Sequence, residues 1–132
     1  MNNLKPKIIK ADNLTEQQTY ERCAIVENYG SKNVSLARAR VKPGVTTVAH
    51  HLSGVEEIYL ILSGHGKVTV EGLEPTDVVE GDVIVIPPGV SQRIANTGKS
   101  DLVFYCICTP RFTPKCYHDE EAEKKTLIKG VP

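Results

Sequence analysis

The chain has 132 residues, 40% of them hydrophobic and 24% charged, which is the size and balance of one globular domain and excludes a disordered chain. Lys plus Arg and Asp plus Glu stand at 16 each, so the basic excess of a nucleic-acid binder is missing. No apolar run approaches the roughly 18 residues of a membrane span, and Met1 to Lys10 is too polar for a signal peptide; a cytoplasmic protein with no membrane partner is expected.

Val and Ile together outnumber Leu and Ala, and β-branched side chains favour strands. In chain order, Thr15 to Arg22 is predicted as one or two helical turns, with Thr15 and Gln18 as a weak capping box. Cys23 to Asn28, Val34 to Val41, Thr46 to Leu52, Glu57 to Leu62 and Lys67 to Glu71 are predicted strands. Asp77 to Val79 is a short strand. Val83 to Ile86, an unbroken apolar run between Gly81 and Pro87, is expected to be buried on both faces. Gln92 to Asn96 and Leu102 to Cys108 complete the set, and His118 to Lys125 is expected as a charged loose helix or a disordered tail. Glycine and proline recur between these runs, the spacing of an all-β sandwich or barrel.

The cysteines are Cys23, Cys106, Cys108 and Cys116. Without a secretory leader, reduced thiols are expected. Cys106 and Cys108 alternate with Tyr105 and Ile107, so both belong to one strand face. Cys106, Cys108, Cys116 and His118 could be drawn as a zinc site, but the Cys-x-x-Cys spacing of such sites is absent. Three small apolar side chains and a solvated histidine are the better reading.

Two segments go beyond generic β-structure. One is Gly44-x5-His50-His51-Leu52-x4-Glu57-x6-Gly64. The other is Gly81-x5-Pro87-x-Gly89-x2-Gln92-x3-Asn96. Their spacing resembles the two signature motifs of the cupin superfamily, over about Val34 to Cys108. The resemblance implies an all-β, cupin-type double-stranded β-helix (jelly-roll) barrel in a single domain. Residues 34–110 would form the barrel core, 1–33 an N-terminal arm with a short helix and strand, and 111–132 a charged C-terminal tail.

The family's metal is held by two histidines and a glutamate of the first motif and a histidine of the second. On this chain His50 and Glu57 match, whereas Leu52 and Gln92 stand at the other two positions. The resemblance therefore implies a divalent transition metal (Mn, Fe, Ni, Co or Zn) held by His50, Glu57 and Gln92, weaker than a full set because an amide is a neutral donor. His50 and Leu52 share one strand face and His51 takes the other, so the extra histidine cannot replace the missing one. Each candidate also has a structural alternative: a hydrogen-bonded core histidine, a buried carboxyl paired to His50 or Gln92, an amide serving only the core. Tyr59 and Tyr105 lie on strands and could donate to a substrate. Arg38 and Arg40 share a face that is better read as solvated, His65 sits in an exposed turn, and Arg111 and Phe112 are candidate lid or interface residues.

Three functions remain open. The first is a metal-dependent small cupin acting on a small polar metabolite, with the metal as Lewis acid or oxygen-activating centre. If that metal is held weakly, Glu57 could be freed as a general base. The second is a metal-free enzyme similar to cupin isomerases and epimerases, with His50 as base and Tyr59 or Tyr105 as acid. The third is a binding or sensory module whose tail, Asp119 to Lys125, meets another protein. A homodimer is expected, with the N-terminal arm adding a strand to a neighbour's sheet.

Overall fold

In the computed structural model, which describes residues 4–123, the β-branched runs become strands and the Gly and Pro pairs become the turns between them. In chain order the strands are β1 (Gln17–Gln18), β2 (Ala24–Gly30), β3 (Ser35–Val41), β4 (His50–Leu52), β5 (Glu56–Ser63) and β6 (His65–Val70). They continue as β7 (Thr76–Val79), β8 (Val83–Ile86), β9 (Gln92–Asn96), β10 (Leu102–Thr109) and β11 (Tyr117–Asp119). Short 3-10 turns occupy Ala11–Asn13 and Pro114–Cys116.

The strands form two antiparallel sheets. One has six strands in the order β1-β2-β3-β10-β5-β8, and the other has five in the order β11-β4-β9-β6-β7. This is the all-β jelly-roll barrel expected from the sequence. Period-two alternation decides what faces inward. On β10, Leu102, Phe104 and Cys108 are buried; on β5, Glu57, Tyr59 and Ile61; on β9, Gln92, Ile94 and Asn96. Most of the interior is one apolar cluster that includes Val41, Ile61, Ile94, Leu102 and Phe104. A smaller cluster of Leu52, Val55, Cys108 and Cys116 fills one end.

Asn96, the last residue of the second motif, is structural. Its Nδ2 donates to the Val41 and Ser100 carbonyls, each at 2.8 Å, and its Oδ1 accepts from Gly98 N–H at 2.9 Å. Gly64 is needed for two reasons. Its φ is +92°, and a Cβ there would meet the Asp101 carbonyl oxygen at 2.6 Å and Leu102 Cα at 2.9 Å.

Several expectations are corrected. Thr15 to Arg22 is not helical: it forms β1 and a turn, in which the Thr19 hydroxyl donates to the Cys23 carbonyl at 2.8 Å. The segment has no apolar stripe to dock as a helix, and Thr hydroxyls compete well for local backbone groups. Within the chain, β1 pairs with β2 and β2 with β3, so the arm extends the chain's own sheet and leaves β1 at its edge. Val83 and Val85 are 57% and 55% exposed: β8 ends its sheet, and only its inner face has a neighbour. Thr46 to Ala49 is irregular, held to β9 by one bridge from Thr46 to Ala95 and by the Thr47 N–H to the Ile94 carbonyl. Of the expected tail, His118 and Asp119 instead belong to β11, which pairs with β4; residues 120–123 are helical as expected, and 124 and 125 lie outside the described residues.

Gly44 and Gly64 both have positive φ, but nothing lies within 4 Å of a Cβ at Gly44. Gly44→Ala should therefore cost only the backbone term, roughly 1–2 kcal/mol. Gly64→Ala should cost clearly more, because two backbone atoms must also move. Urea midpoints of the two variants test this, and equal losses would mean that the start of β10 yields freely.

Candidate functional site

The apolar core stops short of one end of the barrel, and there a cavity of about 510 Å³ opens. His50 from β4, Glu57 and Tyr59 from β5 and Cys106 and Cys108 from β10 face it, with Tyr117 from β11 beside them. Its mouth is built by the N-terminal arm. Thr15, Gln17 and Thr19 alternate along it, and Tyr20, Glu21 and Cys23 join them from the turn that follows.

The centre of the site is a link between the two sheets. Gln92 on β9 lies directly opposite His50 on β4, and its Nε2 donates to Glu57 Oε1 on β5 at 2.6 Å. The Cys108 thiol meets the other carboxyl oxygen at 3.6 Å. Burial holds the Glu57 proton more tightly than in an ordinary carboxylic acid; the Gln92 bond, the nearby His50 and the Cys108 bond pull the other way, and Glu21 adds to the rise. His50 Nδ1 sits 2.7 Å from the Val48 carbonyl. A carbonyl only accepts, so Nδ1 carries the proton, and in the neutral ring Nε2 keeps its lone pair. The ring stacks on Tyr117, centroids 4.9 Å apart and 27° from parallel.

The structure thus brings His50, Glu57 and Tyr59 to one cavity. Gln92 is buried behind it at 1% exposure, touching Glu57 rather than lining the space. Tyr105 is not brought in. It alternates with the inward Phe104 and Cys106 and pairs with Arg38 and Leu60 on the outer face. Arg38 and Arg40 share that outer face, and Arg40 pairs with Glu16 and with Asp101 (2.9 Å). His51 also turns away from the cavity, to Glu120 at 2.8 Å. His65 is exposed. Phe112 lines the mouth, while Arg111 pairs with Glu27 at 3.1 Å.

As a metal cage the set falls short. Gln92 presents its amide nitrogen, not its oxygen, to Glu57. Leu52 packs with Val55, Cys108 and Cys116 where a further donor is needed. Among the described residues no three His, Cys, Asp or Glu converge on one point. The drawn zinc set is likewise dispersed: Cys116 sits in the small apolar cluster, and His118 stacks on His51 at 4.6 Å. The four cysteines are free. Burial raises the Cys23 thiol to about 12 and lifts Cys106 and Cys108 well above the ordinary range, so none is poised as a nucleophile. Tyr59, packed 4.6 Å from Phe104, is likewise held protonated by burial.

Sequence reasoning missed Tyr117 and Glu21. Only the pairing of β11 with β4 carries Tyr117 to His50, and that pairing has no local signature. Glu21 had none either: it sits in a turn beside Tyr20, and both line the cavity.

Residues 37–108 match the family model for the cupin domain. The chain is 33% identical over 110 residues to an uncharacterized protein of Methanocaldococcus jannaschii, covering 83% of each. It is 37% identical over 71 residues to an oxalate-binding protein of Thermotoga maritima, 54% of this chain and 58% of that protein. The structure of KdgF from Halomonas sp. superposes with a TM-score of 0.74 at 16% identity, covering 80% of this chain and 96% of that one; at that identity the likeness is one of fold.

The buried carboxyl predicts a pH effect. Because the folded protein raises the Glu57 proton affinity above the ordinary carboxylic-acid value of 4.5, the group favours folding below that value and loses its contribution as pH rises from there through its folded value. Each tenfold displacement of proton affinity is worth about 1.4 kcal/mol. Glu57→Gln, which keeps an acceptor for Gln92 but cannot ionise, should gain stability relative to the wild type as pH goes from 4 to 8. Denaturant midpoints across that range measure it; a constant difference would show that Glu57 does not titrate abnormally.

Proposed function

The chain belongs to the cupin family, and from that premise we propose that it binds a small polar metabolite in the barrel and acts on it by metal-free acid–base chemistry. The observation that carries this reading is the fixed tautomer of His50. Its Nδ1–H is committed to the Val48 carbonyl, so Nε2 is available to take a proton. Glu57, held protonated by its burial, is the matching acid, and Gln92 fixes its orientation. Tyr59, also facing the cavity, supplies a hydroxyl to orient a substrate oxygen. The proton leaves the substrate for His50 Nε2 and a proton returns from Glu57, the division of labour of a general base and a general acid.

The competing reading keeps a divalent transition metal. It would rest on His50 and Glu57 with the Gln92 Oε1, which is buried without a hydrogen-bond partner, as a third donor, while Gln92 Nε2 is held by Glu57. Metal analysis of the purified protein separates the two. Less than about a tenth of an equivalent of metal per folded chain is expected, as is ligand stabilisation that survives chelator treatment, scored as melting shifts over a panel of small metabolites. For any ligand that is turned over, His50→Ala and Glu57→Gln should each lower the rate by about 10²-fold or more. Near-stoichiometric metal that falls in Glu57→Ala would reinstate the metal. Melting shifts with no product by NMR would make the protein a binding module.

A cytoplasmic location is part of the same proposal, supported by the four free thiols; among the described residues no helix is long and apolar enough to cross a membrane. So is a homodimer, whose support is the outer face of the six-stranded sheet. There Val83, Leu60 and Tyr105 form one cross-strand row and Val85, Ile58 and Ile107 another, running to the open edge at β8. A second copy of the same face can cover both rows. Sedimentation at micromolar concentration should give twice the 14.5 kDa chain mass, reduced to one chain in Val83→Glu/Val85→Glu. A wild type that sediments as a single chain would remove the dimer.

A further inference from the structure

The charge and aromatic character of the cavity narrow the ligand class, an inference that rests on the ligand-binding reading above. No lysine or arginine lines the cavity, whereas Glu21, Glu27 and Glu57 do. Glu27 is neutralised by Arg111. Among the described residues no lysine or arginine pairs with Glu21 or Glu57. The Glu21 carboxylate meets the Cys23 thiol at 3.8 Å and lies close enough to add to the proton affinity of both Glu57 and Tyr117.

Three aromatic rings stand at the same mouth. Tyr117 is flanked edge-on by Tyr20, with centroids 6.0 Å apart and planes at 84°, and by Phe112, at 6.3 Å and 70°. All three rings line the cavity. Tyr20 is 73% exposed and Phe112 37%, unusual for rings clustered with a partly buried tyrosine unless something else covers them. The Tyr117 hydroxyl is shielded from solvent and faces the Glu21 carboxylate, with no partner at full hydrogen-bond geometry. Ring faces and carboxylates both attract positive charge and both repel an anion. Glu21 is half-buried and among the described residues has no cationic partner, which a cationic guest would supply.

We infer that the ligand is a small organic cation, an ammonium or a related onium group with an apolar body, held between the Tyr20–Tyr117–Phe112 rings and Glu21 while its polar end reaches His50 and Glu57. A cavity of about 510 Å³ admits a metabolite-sized guest of this kind. The reading separates this chain from its Thermotoga relative, whose name is oxalate-binding protein: with no lysine or arginine in the lining, a dianion finds no permanent counter-charge here.

Three probes of the same shape isolate the charge: choline, its neutral carbon analogue 3,3-dimethyl-1-butanol, and the anion 3,3-dimethylbutanoate, each titrated calorimetrically into chelator-treated full-length protein. Choline should bind at least about tenfold more tightly than the neutral alcohol, and neither 3,3-dimethylbutanoate nor oxalate should bind measurably. Glu21→Gln should bring choline down to the level of the alcohol while leaving the alcohol unchanged, which also reports that the variant is folded. If the alcohol or either anion binds as tightly as choline, the charge inference is overturned and the ligand cavity stands. If none of the probes binds at 10 mM, both the inference and the ligand-binding reading beneath it fail.

Discussion

A carboxyl group buried between two β-sheets has to be held by something, and in this barrel Gln92 holds it. Glu57 belongs to the six-stranded sheet and Gln92 to the five-stranded one, so their 2.6 Å hydrogen bond is a tie across the barrel. Gln92 is in turn set by its register opposite His50, and His50 by the Val48 carbonyl. Each polar group is placed by the next, in an interior otherwise made of Val, Ile, Leu and Phe. The low polarity that makes such a group costly also strengthens the bonds that hold it. It keeps the proton on Glu57 as well, so the packing of the core and the chemistry of the site follow from one constraint.

The geometry around that tie follows from strand alternation. Because β5 presents Glu57 and Tyr59 inward, Ile58 and Leu60 must face out. Because β10 presents Phe104 and Cys106, Tyr105 is carried to the outer face with Arg38. The cavity's charge is set in the same way: both arginines of β3 lie on the register that excludes them from the lumen, and the inward positions between them are Ala37 and Ala39. Small inward side chains make room, and outward arginines leave the room without positive charge.

How much of this was legible depended on whether the deciding contact was local. The runs at β5, β9 and β10, the turns at Gly44, Gly64 and Gly89, and the meeting of His50 with Glu57 could all be read from spacing, because alternation and turn chemistry are local rules. Tyr105 failed because the sequence does not state which of two faces is the inside. Val83 and Val85 failed because an apolar run reads alike in a central strand and an edge strand. Thr15 to Cys23 failed because a short polar segment carries weak periodicity, and only its contact with the barrel mouth makes it extended. Tyr117 required a long-range pairing between β11 and β4 that no local signal announces.

Leu52 and Gln92 look at first like losses, two ligand positions given up. Their contacts argue that they act together. Leu52 joins Val55, Cys108 and Cys116 in an apolar patch beside Glu57, which lowers the local polarity and favours the protonated acid. Gln92 then supplies a neutral donor that orients the carboxyl without adding charge. A histidine at position 92 could take up a proton and pull Glu57 toward its ionised form; an amide cannot. The two residues at these positions thus surround one buried, oriented carboxyl group with an apolar patch and a neutral donor, without any change in the strands of the barrel.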